Sequence, residues 1–204
     1  MLKLICGFYD IYGNQREESA NFLTTPIRGL LAVLAVISAI VTAMYYQSDL
    51  DRGIFSLLPE RQRKFGEFGY QMISSMNILL FVLAALLLAG LSAGIWTELL
   101  IFLLYGICCA LFAMVLRAVF GGRRGLAVLI PVLTIVMLAV CPVFFDVGDL
   151  RKLQLMLPPT YYINGAFNPK YLIYLAVYDI VLLIMYVVIG FVKSQVRKKG
   201  SRVE

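Results

Sequence analysis

Five apolar runs of about 20 residues decide what this chain can fold into. They are Pro26 to Gln47, Met72 to Leu91, Ile95 to Phe120, Gly125 to Phe145 and Tyr171 to Val192. A helix rises about 1.5 Å per residue, so a run of that length crosses a hydrocarbon layer of about 30 Å. In lipid every backbone amide needs an internal partner, and runs without strict period-two alternation meet that need as helices rather than as a closed barrel. The expected fold is all-α, a polytopic membrane bundle of about five transmembrane helices. It divides into an outer N-terminal segment at 1–25, a transmembrane domain at 26–192 and a basic cytoplasmic tail at 193–204. Composition closes off the soluble alternative. Of 204 residues, 61% are hydrophobic and only 15% charged, against roughly a quarter charged in soluble domains.

Charge sets the expected orientation. Arg52, Arg61, Arg63 and Lys64, then Arg117, Arg123 and Arg124, then Lys193, Arg197, Lys198, Lys199 and Arg202 fall on one side of the membrane. The other side carries half as many, namely Lys3, Arg16, Arg28, Arg151, Lys152 and Lys170. By the positive-inside rule the richer side is cytoplasmic, which puts the N-terminus outside and the C-terminus inside, in a plasma (inner) membrane. The net charge of +6 is read as topology and lipid contact. Nucleic acid is not an expected partner, because no aromatic-interleaved basic groove accompanies the charge. Leu2 to Tyr9 is a short apolar start with no small-residue cleavage site after it, so it does not read as a secretory signal. An outward N-terminus with nothing ahead of it to direct its export suggests a C-terminal part of a longer protein, lacking a first helix.

Two connecting segments are more than linkers. Tyr46 to Gln71 reads YQSDLDRGIFSLLPERQRKFGEFGYQ, in which Asp49 and Asp51 precede Arg52 and Gly53, an apolar cluster follows, and Pro59 ends it before a basic run. That order suits a short amphipathic helix on the membrane surface or a docking element for a cytosolic partner; a solvated, topology-fixing loop is the plain alternative. Cys141 to Lys170 is apolar but broken by Pro142, Pro158, Pro159 and Pro169, which suits short re-entrant or interfacial helices with Tyr161 and Tyr162 at headgroup level. Gly90 to Gly94 is expected to turn tightly between the second and third spans.

Catalytic parts are missing from the sequence. There is no histidine, phosphate loop or clustered carboxylate pair, and no serine beside a base, so neither an enzyme nor a resident cofactor or metal is expected. Cys6, Cys108, Cys109 and Cys141 lack metal-ligand spacing and read as small packing residues. The polar residues within spans are Asp179, whose desolvation calls for a polar partner or a watery path, and Asn77, placed to hydrogen-bond between helices. Arg117 lies near enough to a helix end to snorkel.

In this order the features resemble the permease subunits of the type-2 class of ABC exporters, whose members commonly have six spans. A span leading into Asp49, Asp51, Arg52, Gly53, Phe55, Leu58, Pro59 and Arg61 is similar to that family's coupling segment. Leu157-Pro158-Pro159-Thr160-Tyr161-Tyr162, leading into the last helix, is similar to its outer re-entrant region. The resemblance covers most of the chain, in its C-terminal five-helix form. It implies a cytosolic ABC ATPase subunit docked on the coupling segment, a second permease copy, identical or related, and membrane lipids as partners, with ATP hydrolysis residing in the separate subunit. The sequence departs from the family in lacking a first span and a large outer domain ahead of Pro26. A non-transporting scaffold, accessory protein or truncated permease is therefore the second reading. A membrane-embedded transferase or protease is a third, for which Asp179 alone supplies too few parts.

Overall fold

The computed structural model describes residues 24–55, 59–88, 94–141, 143 and 151–200. Among the described residues seven helices follow one another: α1 Thr24–Asp51, α2 Glu60–Leu88, α3 Ile95–Phe120, α4 Arg123–Val140, α5 Arg151–Gln154, α6 Pro158–Gly165 and α7 Lys170–Gly200. Five of them are long and apolar enough to cross a membrane, and the described residues contain no strand. The protein is an all-α multi-pass bundle. The N-terminal segment before Thr24, the expected Gly90 turn and residues 201–204 of the tail lie outside the described residues, although Gly94 is described.

The helices overrun the apolar runs chiefly at the charged ends. α1 continues through Tyr46 to Asp51, and α2 begins directly after Pro59, so the basic run at 61–64 is its first turns. No separate surface helix forms over 52–55, which is a turn. α4 is shorter than its run, ending at Val140. Pro131 inside it removes one backbone donor and crowds the preceding turn, a defect lipid-embedded helices tolerate when neighbours satisfy the freed groups.

α1 and α3 form the centre. The buried positions along α1 include Ala32, Ala35, Val36, Ala39, Ile40 and Ala43, a helical-period stripe of mostly small side chains that lets α2, α3, α4 and α6 approach closely. Between lipid and protein there is no hydrophobic difference to drive association, so close packing and interhelical hydrogen bonds carry it. Tyr105 Oη donates to the Ala32 carbonyl at 2.9 Å, tying α3 to α1, and Thr42 and Ser74 share a hydroxyl hydrogen bond of 2.7 Å between α1 and α2. α7 packs on α3 and α6 and leaves an outward face of Ile173, Val177, Ile180, Ile184 and Val187.

The proline-rich connection enters the bundle. All eight residues of α6 are buried, against α1, α3 and α7. Tyr162 stacks on Tyr105 at 4.6 Å and Tyr161 on Tyr178 at 5.1 Å. The expected short helices are present as α5 and α6, but Tyr161 and Tyr162 do not form a headgroup belt. Their rings fill space between helices, where Pro158 at the first helical position needs no amide donor. Burial pushes the Tyr161 hydroxyl up to about 12, and the same cause raises Tyr162. Both phenols are neutral at any physiological pH.

Candidate functional site

The end of the bundle where α1 stops and α2 starts holds the main polar assembly. α1 ends in a Schellman cap: Gly53 adopts φ 76°, its amide donates to the Leu50 carbonyl at 3.0 Å, and the Ile54 amide donates to the Asp49 carbonyl at 3.1 Å. A positive φ is sterically cheap only for glycine, so the Arg-Gly step has a local folding reason. The cap turns the chain so that Phe55 lies on Tyr46, ring centroids 5.1 Å apart, while Tyr70 of α2 flanks the same ring at 5.4 Å. The Arg117 guanidinium of α3 sits over Tyr46, 5.3 Å from its centroid.

Arg117 does not snorkel to solvent as its position near the helix end suggested. Its Nε donates to Glu67 of α2 at 2.8 Å, and a second nitrogen donates to Gln47 Oε1 of α1 at 2.9 Å. Nη2 pairs with the same Glu67 oxygen, Oε1, so two guanidinium donors converge on one acceptor. Tyr186 of α7 donates to the other Glu67 oxygen at 3.1 Å, and Gln47 Nε2 donates to Asp51 at 2.8 Å. Four long helices and the 52–55 turn therefore meet at one guanidinium. A half-buried cation with a nearly buried carboxylate repays its desolvation only when its donors are matched, and here three donors have partners.

Of the residues expected to couple, Asp49, Asp51, Arg52, Gly53 and Phe55 are gathered here. Asp51, Arg52, Gly53 and Pro59 are exposed and Phe55 is half-buried. Leu58 lies outside the described residues, as does the Arg61 side chain; the Arg61 backbone is the second residue of α2. Glu67 was not singled out from sequence. Its signal was its position seven residues past Glu60, on the stretch that reads as a charged loop until α2 is known to start there.

A second ion pair closes the opposite end. Arg28, early in α1, and Glu98, early in α3, form a bidentate pair with each side chain 1% exposed. Arg28 is thus no outer surface charge. The partnership was legible in principle, because each residue sits near the start of a span and the two starts share one end of the bundle.

Asp179 is 7% exposed on α7, where the Cys108 thiol of α3 faces it. Within ordinary hydrogen-bond limits neither carboxylate oxygen is paired among the described residues. Asn77 is exposed rather than inserted between helices, on a face with Ile73, Leu80 and Phe81. Among the described residues no three of His, Cys, Asp and Glu converge as a metal shell. The arrangement at the Arg117 end ties the exposed turn, through Phe55 and Tyr46, to α1, α2, α3 and α7. No protein-family model, curated protein or solved structure matches the chain.

Proposed function

We propose that the chain is the transmembrane permease subunit of an ATP-driven ABC-type exporter, with the Arg117 end cytoplasmic and the α6 end outward. The observation that supports this most is the continuous stack from Phe55 to Tyr46 to Arg117, which links the exposed turn to α2 through Glu67 and to α7 through Tyr186. A cytosolic ATPase subunit closing on ATP would push on Arg52 to Phe55, and rigid helices joined at Arg117 would convert that push into a tilt. The permease binds no nucleotide in this reading. Two copies, identical or related, would line the path, and it is in the plasma (inner) membrane that such a subunit would work.

The test is co-purification of the tagged chain with a cytosolic ATPase from its own membranes. Asp51 is hydrogen-bonded to Gln47 within the network, so its reversal would disturb the bundle as well as the docking face. Arg52→Glu is the cleaner variant, because Arg52 is exposed and only its backbone is used by the cap. Recovery of an ATPase with wild type and its loss with Arg52→Glu supports the proposal. A folded wild type that recovers none removes it.

A further inference from the structure

A groove opens beside α7 at the end of the bundle that holds α5 and α6. It encloses about 370 Å³ and is lined by Leu155, Tyr161, Tyr171, Tyr174, Tyr178 and Val181, among others. Ligand pockets run from roughly 300 to 1,000 Å³, so the space suits one slender group. The lining from Tyr171 to Val181 follows one face of α7 for about 15 Å, half of the hydrocarbon thickness of about 30 Å, which is the depth of one leaflet.

The groove is aromatic but presents little polarity. Tyr161 Oη donates to the Leu155 carbonyl and Tyr178 Oη to the Met156 carbonyl, both at 2.7 Å, so these hydroxyls are engaged and the rings form the wall. Tyr171 and Tyr174 meet edge to face at 5.7 Å, which holds their relative orientation. Charge then identifies the end of the occupant. Lys170 immediately precedes Tyr171, and Lys152 lies three residues before Leu155; both are exposed. Both lysines thus lie within three residues of a lining residue along the chain, and the two ion pairs among the described residues involve neither.

We propose that this groove is a binding site for an anionic bilayer phospholipid, one acyl chain lying along the tyrosines and the headgroup phosphate meeting Lys152 and Lys170. An apolar slot of leaflet depth under a basic rim is complementary to that amphiphile at both ends, whereas a zwitterionic lipid gains less from the rim. The site is independent of the transporter reading.

The test uses the full chain in phosphatidylcholine vesicles doped with phosphatidylglycerol carrying a diazirine on one acyl chain, against phosphatidylcholine bearing the same chain. Adducts are mapped by peptide mass spectrometry. Labelling between Tyr171 and Val181 should exceed that between Leu183 and Val192, and the anionic probe should exceed the neutral one there by about five- to thirty-fold, the range of one to two lysine contacts. Lys152→Gln with Lys170→Gln should bring the two probes level. Val177→Trp, which fills the slot, should remove the excess labelling of this stretch by either probe, bringing it down to the level of Leu183 to Val192, which should be unchanged. If Val177→Trp fails to fold, the surface lysine variants still decide. Equal labelling along α7, or equal labelling by both probes, overturns the proposal. So does absent labelling accompanied by a disulfide-linked dimer of Tyr174→Cys, which would assign the groove to a second copy.

Discussion

Arg28 and Glu98 are each 1% exposed, and at that burial an ion pair stands or falls on its geometry. Removing one partner strands a desolvated charge at a cost of about 3–5 kcal/mol, whereas replacing both with apolar groups of similar volume is often neutral or stabilising. Arg28→Met and Glu98→Leu should therefore each lower the thermal unfolding midpoint in detergent markedly, and the double variant should recover most of the loss. Additive losses would mean that each side chain matters through other contacts. The cysteines carry the opposite expectation, that of inertness. Cys108, Cys109 and Cys141 are free and buried, so water-borne reagents do not reach their thiols in the folded chain. In a Cys6→Ser background, maleimide should label the native chain hardly at all near neutral pH and three times per chain after denaturation. Rapid native labelling would show a water path to at least one of these thiols.

At the scale of elements, close approach explains which glycines matter. A Cβ on Gly29 would lie 3.1 Å from the Val143 Cα, a backbone atom that cannot swing aside, while one on Gly69 would meet open space. Gly29→Ala should destabilise by about 1–3 kcal/mol through overpacking of α1 against Val143. Gly69→Ala should stabilise by about 0.5–1 kcal/mol, because alanine is the better helix former. Comparing unfolding midpoints of the two variants checks the sign of each. The elements themselves were largely legible in the sequence, because a lipid-spanning helix must be both apolar and long. Ile95 to Phe120 matches α3 at both ends. What hydropathy misses is helix that continues outside lipid: α1 through Asp51 and α2 from Glu60 carry charges that read as loop. The site shows the same limit. Phe55 and Arg52 announce themselves by local pattern, but Glu67 and Glu98 matter only through partners 50 and 70 residues away, Arg117 and Arg28. Tyr161 and Tyr162 misled for a related reason, since an aromatic pair beside prolines has the same sequence whether it faces headgroups or fills a bundle.

On the scale of the whole molecule, α2 and α7 turn broad apolar faces outward, and the α2 face contains Asn77 among Ile73, Leu80 and Phe81. Leucine-like surface is indifferent between lipid and another helix, but an amide in hydrocarbon is not, since its donors and acceptor need partners that acyl chains cannot offer. The proposed second copy would supply them, Asn77 of one protomer meeting the α2 face of the other. Interhelical hydrogen bonds of this kind contribute about 0.6–2 kcal/mol, or about 3- to 30-fold in a dissociation constant. Asn77→Leu preserves the bulk of the face and removes only the amide, so energy transfer between labelled protomers diluted in vesicles should show dimer dissociation strengthened by that factor. Asn77→Gln, which keeps the amide on a longer stem, should restore part of it. A wild type monomeric at every dilution, or an Asn77→Leu variant that associates as tightly, would detach Asn77 from pairing and leave the two-copy assembly without its support on α2.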